Sequence, residues 1–270
     1  MTSFICPLCR RPLTPGEKVW RCEKNHSFDV AREGYVNLLP VQHKKSRDPG
    51  DDAQMVTARH EFLQAGHYQP LRDAVVALLA PLQLSSLLDI GCGEGYYTGA
   101  FTAAAASVTG LDIARFAVRL AAKRHADVTW LVGSGALLPQ ADASVDLVSN
   151  LFTQLHVDEM RRVLKPGGYA LVVTPAPDHL WSVREQLFDQ VRAHDPSKFL
   201  TNFASGFELL SQQQLRFALN LTAPDMQRLL QMTPYAWTAP PERRAALIAR
   251  GDSCTQAAMT MLLFRRGAST

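Results

Sequence analysis

Three cysteines and a histidine stand near the start of the chain as Cys6-Pro7-Leu8-Cys9, Cys22 and His26, a C-x2-C pair followed by C-x3-H. Two cysteines with two residues between them form a tight knuckle whose backbone N–H groups face the thiolates. A second knuckle brought opposite by a hairpin completes a tetrahedron, the closed ligand set of a structural zinc ion. Gly16, between Leu13-Thr14-Pro15 and Val19-Trp20-Arg21, supplies the hairpin turn. A disulfide or a thioredoxin-like redox pair competes for the same residues. The redox pair needs its C-x-x-C at the start of a helix, whereas Pro7 here belongs to a knuckle. Cys92 and Cys254 have no metal-ligand company nearby and read as small packed residues.

The second chemical stretch is Leu87 to Thr98, LLDIGCGEGYYT. Leu87, Leu88 and Ile90 make the short apolar run of a buried parallel strand, with Asp89 inside its end. Gly91, Gly93 and Gly95 follow at alternate positions, and Tyr96 to Ala106 reads as a helix. Glycines at a strand-to-helix turn admit a ligand where a Cβ would collide, and the helix N-terminus offers N–H groups to a carboxylate. The next apolar run, Val108 to Leu111, ends in Asp112, placed to accept the two hydroxyls of a ribose. The G-x-G-x-G spacing resembles class I S-adenosylmethionine-dependent methyltransferases more than dinucleotide dehydrogenases.

The remaining elements must position these groups. Residues 52–80 have helical periodicity interrupted at Gly66-His67-Tyr68, with Tyr68 either a lid over the cofactor or a core aromatic. Val128 to Val132 is a third strand ending in Gly133-Ser134-Gly135, where Ser134 and backbone groups would meet an adenine edge. Ala143 to Asn150 is a fourth, so Asn150 to Gln154 should border the reaction space beyond the strand ends. A helix over Asp158–Val163 and a sharp Leu164-Lys165-Pro166-Gly167-Gly168 turn lead to a fifth strand, Tyr169–Thr174. His179 follows it, as a cofactor contact, a base or a satisfied structural histidine. The tail adds a helix near Leu180–His194, a strand at Gln213–Leu221, a helix capped at Thr222-Ala223-Pro224-Asp225 and a last strand, Ala257–Phe264. Tyr235 and Trp237 gather in a turn-like segment and can stack a flipped-out base or serve as ordinary core.

With 270 residues, 47% hydrophobic and 20% charged, the chain is of ordinary globular composition, without an apolar run long enough for a membrane span or a signal-peptide pattern. A cytoplasmic protein is expected. The net charge of +3 is uneven: residues 1–47 hold nine basic and four acidic residues, and the rest is net negative. The polar stretch His43-Lys44-Lys45-Ser46-Arg47-Asp48-Pro49-Gly50-Asp51 is either a phosphate-gripping loop built on Lys44, Lys45 and Arg47 or an exposed linker.

Taken together, the Cys6/Cys9/Cys22/His26 module, EGYVNLLPVQHKKSRDPGD, AGHYQPLRDA, LDIGCGEGYYT, LKPGG, the His179 segment and LLQMTPYAW resemble the bacterial 23S rRNA guanine-N1 methyltransferase family over nearly the whole chain. The resemblance implies an α/β fold, a Rossmann-like class I S-adenosylmethionine methyltransferase sheet with a small N-terminal zinc-binding module. It places an RNA-recognition module at residues 1–40 and the methyltransferase domain at 41–270, with 41–52 as a basic linker loop. It implies methylation of a guanine of the position-745 type in helix 35, as in the Gram-negative branch, by a homodimer acting on 23S rRNA. S-adenosylmethionine would touch Tyr68, Gly95, Tyr96 and His179; Zn2+ would be structural. The segment Asn150-Leu151-Phe152-Thr153-Gln154 departs from the family by lacking its proline. Guanine N1 must shed a proton before or during attack, for which His179 and Asp48 are the candidate bases. An RNA-binding protein with an inactive methyltransferase domain and a small-molecule methyltransferase are the competing readings.

Overall fold

The computed structural model describes residues 3–40, 42, 49–195 and 197–267; Lys44, Lys45, Arg47 and Asp48 lie outside them. The chain opens with four short strands, β1 (Phe4–Ile5), β2 (Pro12–Thr14), β3 (Val19–Cys22) and β4 (Ser27–Asp29), paired antiparallel in that order. Phe4 and Trp20, with ring centroids 4.7 Å apart, and buried Leu13 make a minimal core for this ribbon. Backbone bonds fasten it to the body: Ile5 N–H donates to Pro139 O at 2.8 Å and Ala141 N–H to Ser3 O at 2.9 Å.

The body begins with β5 (Tyr35–Asn37), α1 (Ala53–Gln64) and α2 (Gln69–Leu79). Asp52 caps α1 by accepting from Met55 N–H at 2.9 Å. Then come β6 (Leu87–Ile90), α3 (Tyr96–Ala100), β7 (Val108–Asp112), α4 (Arg115–Arg124), β8 (Thr129–Val132), β9 (Val145–Leu151), α5 (Val157–Val163) and β10 (Leu164–Pro175). The tail comprises α6 (Trp181–Leu187), α7 (Ser197–Phe203), β11 (Phe207–Leu221), α8 (Ala223–Gln231), α9 (Tyr235–Thr238), α10 (Pro241–Ala249) and β12 (Ser253–Arg266). Eight strands form one sheet in the order β11-β12-β10-β9-β6-β7-β8-β5. From β10 to β5 the neighbours are parallel, whereas β12 and β11 add antiparallel pairs at the far edge. The apolar runs of the central strands follow from this placement, because helices cover both faces.

Several expected elements differ. The helix after the glycine turn is only α3 plus a 3-10 turn, Phe101–Ala103. The helix expected to reach His194 stops at Leu187, where Phe188 turns extended. The strand expected from Gln213 starts at Phe207, held by pairing with β12. The Leu164–Gly168 turn lies within β10: Leu164 and Tyr169 pair with Val145 and Leu147, so the four residues between them bulge against one. Gly167, at φ +76°, accommodates that bulge.

Trp130, on β8, is 1% exposed, and its ring lies against Gly110 of the neighbouring strand. A Cβ on Gly110 would collide with that ring in the packed centre of the sheet. Gly110→Ala should therefore cost about 1–3 kcal/mol through overpacking. The check is the midpoint of urea denaturation at unchanged m-value; an unshifted midpoint would show that the ring yields freely.

Candidate functional site

In the ribbon, the ligand atoms of Cys6, Cys9, Cys22 and His26 all lie within 4.8 Å of one another. Cys9 Sγ and Cys22 Sγ are 3.7 Å apart, and His26 Nδ1 is 3.5 Å from both Cys6 Sγ and Cys22 Sγ. Around a tetrahedral ion with bonds of about 2.3 Å to sulfur and about 2.0 Å to nitrogen, ligand atoms stand about 3.5–3.8 Å apart. The donor set fits zinc and leaves no vertex for water. Burial pushes the Cys22 thiol up, but backbone N–H groups of Lys24 and His26 and the neighbouring thiols outweigh it and hold it at about 7. Cys6 behaves oppositely: burial pushes its thiol up to about 11, so a metal would have to displace that proton on binding.

The second site lies where the chain order reverses. From β6 the sheet grows outward through β7 and β8 on one side and through β9 and β10 on the other, so a crevice opens at the carboxyl ends of β6 and β9. The glycine turn crosses it, tied down by Gly91 N–H and Cys92 N–H donating to Leu111 O at 2.8 and 3.1 Å. Gly93, at φ +55°, has no atom within 4 Å of where a Cβ would stand, and so presents the open edge. At Gly91 a Cβ would lie 2.5 Å from the Thr153 side chain, which closes the other side.

Asp89 is 3% exposed and accepts from Thr98 Oγ1 at 2.5 Å and from Ser149 Oγ at 2.7 Å. Burial lifts its carboxyl to about 6, against the lowering pull of those two hydroxyls. Asp112, at the tip of β7, accepts from Gly93 N–H at 2.9 Å and Ala114 N–H at 2.7 Å. Each of its oxygens keeps a second lone pair for a ribose hydroxyl. Ser134, half-buried at the end of β8, accepts from Ala136 N–H at 3.2 Å.

Tyr68 is buried edge-on between Phe62 at 5.5 Å and Phe217 at 5.9 Å, which makes it a wedged core aromatic rather than a swinging lid. Tyr96 is buried under the Arg72 guanidinium, 5.1 Å from its ring centre. The hydroxyls of Tyr96 and Tyr97 are both buried and have no hydrogen-bond partner among the described residues. Two orphan hydroxyls beside a glycine turn suit a ligand rich in polar groups. Tyr97 was not expected from the sequence, because its neighbour carries the same side chain. Glu94 was missed as well: 2% exposed, it faces His60 Nδ1 at 3.2 Å and Arg124 at 3.4 Å. Tyr235 is half-buried against Phe188, with ring centroids 5.9 Å apart, while Trp237 on the same short helix is 62% exposed.

Residues 4–47 match the family described as RlmA, N-terminal, and residues 88–172 a methyltransferase domain. The 23S rRNA (guanine(748)-N(1))-methyltransferase of Streptomyces fradiae is 35% identical over 255 residues, covering 90% of this chain and 89% of that one. The chain belongs to the 23S rRNA guanine-N1 methyltransferase family. A Bacillus subtilis protein provisionally assigned the same activity is 30% identical over 260 residues, covering 91% of each chain. Among solved structures, a Bacillus halodurans protein with a provisional methyltransferase name superimposes at a TM-score of 0.50, over 72% of this chain and 99% of that one. At 19% identity that likeness shows the fold alone. The methyltransferase domain of this family member uses S-adenosylmethionine, and its ribbon holds structural zinc.

In this methyltransferase His179 is 6% exposed and its Nδ1 accepts from Ala258 N–H at 3.1 Å. Burial, with the nearby His194 and Arg184, holds its imidazole far below the ordinary histidine range, at about 3. The lone pair that a base would use is spent on β12, so His179 is a positioning group rather than the proton acceptor.

Two outcomes follow for the two sites. An unfolded chain takes up the His179 proton near its ordinary value, while the folded one resists it to about 3. The full stability contribution is therefore present above about pH 6.5, and it is lost as pH falls from there toward 3. In a histidine NMR titration, His179 should stay neutral at pH 5; a midpoint near 6.5 would refute the buried hydrogen bond. In the ribbon, Cys9→Ser should abolish the one bound zinc measured by mass spectrometry and weaken RNA binding at least tenfold, with cofactor affinity unchanged. Stoichiometric zinc in that variant would disprove the ligand set.

Proposed function

We propose that this protein transfers a methyl group from S-adenosylmethionine to N1 of a guanine in helix 35 of 23S rRNA, at a position of the 745 type, as the Gram-negative branch does. The observation that carries the reading is the continuity of the two sites. The relatives named as 23S rRNA guanine-N1 methyltransferases match ribbon and methyltransferase domain together, over 90% of the chain. Backbone bonds from Ser3 and Ile5 and the parallel pairing of β5 with β8 join the ribbon to the sheet that forms the crevice. A small-molecule methyltransferase would need no such second module.

S-adenosylmethionine supplies an electrophilic methyl on a sulfonium. With it bound, guanine N1 would gain the N–C bond as the C–S bond broke, the C–S electron pair going to sulfur and the N1 proton to solvent or a base. The chain's part is to hold the acceptor in line and exclude water. Gly91, Gly93, Gly95, Tyr96, Tyr97 and Asp112 would border the cofactor at the β6 and β7 tips, with Asp89 fixing them from beneath. Tyr68, Ser134 and His179 would shape its remaining walls. The described end of the linker, residues 49–52, lies at this place. A Cβ on Gly50 would lie 2.8 Å from Ala114, beside Asp112, and Asp51 pairs with Arg59 at 2.5 Å. Lys44, Lys45 and Arg47 precede that contact in sequence and would grip the RNA backbone. The acting form would be a cytoplasmic homodimer; no described helix is long and apolar enough to cross a membrane.

The deciding experiment is transfer of labelled methyl to unmethylated 23S rRNA, followed by primer extension. A stop at one helix 35 guanine is expected, since N1 methylation blocks Watson–Crick pairing; its position distinguishes the 745 from the 748 type. Binding of cofactor and RNA without transfer would instead mark an inactive domain. Replacing Lys44 and Lys45 by Ala should lower RNA affinity and reduce the slope of log K against log salt by about 1.5 to 2. An unchanged slope would take the loop out of the interface.

A further inference from the structure

Phe152 stands directly beyond β9 and combines two features that a phenylalanine rarely shows together. Its backbone is left-handed, at φ +58°, and its side chain is 42% exposed. Six of the seven residues of β9 are buried, so the strand turns from wholly internal to exposed aromatic within one residue. The conformation is held from both sides: Phe152 N–H donates to Val173 O at 3.0 Å, and Thr153 is wedged against Gly91 of the glycine turn. In register, Asn150 pairs with Ile90 and with Val172. Phe152 therefore lies two residues further, level with the glycine turn, at the crevice where the chain order reverses.

A glycine or asparagine would occupy this turn without strain, and a polar side chain would expose no apolar surface. Strained residues that persist at a ligand crevice point to a function for the side chain they hold. The phenyl ring offers neither proton nor lone pair, only a flat apolar face. Such a face suits the plane of a nucleobase, which loses its stacking when it is drawn out of an RNA hairpin. The aromatics expected to do this from the sequence are placed differently: Tyr235 is half-buried against Phe188, and Trp237, 62% exposed, lies on the short helix α9 rather than at a strand end.

Building on the proposed rRNA methylation, we propose that Phe152 is the platform on which the target guanine stacks, its left-handed backbone turning the ring out at the mouth of the crevice. It is then a specificity-determining residue of the transfer, with no part in cofactor binding. The test compares Phe152→Gly, Phe152→Leu and Phe152→Tyr with the unaltered protein, on an rRNA fragment carrying the mapped guanine. Removing a stacking face costs about 5- to 150-fold, so kcat/KM for Phe152→Gly should drop within that range. Its thermal midpoint should hold or rise as the strain is released, with S-adenosylmethionine affinity within twofold. Phe152→Tyr should restore transfer, and Phe152→Leu should not. Replacing the target guanine by 2-aminopurine gives a second readout. Stacking should quench its fluorescence on binding to the unaltered protein or to Phe152→Tyr, and not on binding to Phe152→Leu. Transfer by Phe152→Gly within twofold of the parent, equal activity of the Leu and Tyr variants, or a tenfold loss of cofactor affinity would overturn the assignment. An unaltered protein that methylates no rRNA guanine would overturn the underlying reading instead, and the platform with it.

Discussion

The crevice depends on one buried carboxylate. Asp89 lies on β6, yet its two acceptor bonds reach Thr98 on α3 and Ser149 on β9, the elements on either side of the point where the chain order reverses. A carboxylate buried on the sheet face that also carries Leu87 and Leu147 is costly, and the rise of its carboxyl to about 6 expresses that cost. Two hydroxyl donors offset part of it and make the geometry specific, since an apolar residue of similar size could fill the space without aligning helix and strand. The glycine turn is thus clamped from below by Asp89, while Leu111 O and the Asp112 carboxylate receive its N–H groups from the side.

The zinc ribbon relates to this centre through backbone rather than side chains. Its strands have two to four residues each, too little for a self-sufficient core, so metal binding and docking must supply its stability. The bonds from Ser3 and Ile5 reach Pro139 and Ala141, in the segment between β8 and β9, and β5 then extends the sheet itself. Glu159, Arg162 and Asp142 brace the same segment: Arg162 donates to Leu138 O at 2.9 Å and to Gln140 O at 2.8 Å, and pairs with both acids. A ribbon fixed in this way cannot tumble relative to the crevice, which gives an RNA held by one a defined position at the other.

What the sequence disclosed tracks how local the determining physics is. The ligand spacing at Cys6, Cys9, Cys22 and His26 and the strand–glycine–helix order around Asp89 are written in contiguous residues. The structure gathers the first four side chains into one cluster and builds the second stretch as strand, turn and helix. Tyr35 to Asn37 gave no strand signal, because three residues become a strand only through their pairing with Trp130 to Val132. The first six residues of β11 resist reading for a related reason: FELLSQ is mostly exposed and lacks clean alternation, and the ladder with β12 holds it extended. The left-handed turn at Phe152 was equally hidden, since nothing in Asn150-Leu151-Phe152-Thr153 names the Val173 and Gly91 contacts that impose it.

The chemistry that remains for the side chains is narrower than the sequence left open. A histidine at the carboxyl edge of a methyltransferase sheet invites the role of base, but His179 spends its Nδ1 lone pair on Ala258 and is neutral far below physiological pH. Ionising it would strand a cation close to Arg184, itself buried and bonded to the carbonyls of His179 and Arg192. The arrangement tolerates only the neutral ring, and its consequence is mechanical: it ties the segment after β10 to β12. In a displacement whose barrier falls chiefly when donor and acceptor are held in line, such ties contribute to rate through alignment of the reacting atoms. That weighs the catalytic power of this fold toward placement of the acceptor and away from proton transfer by His179.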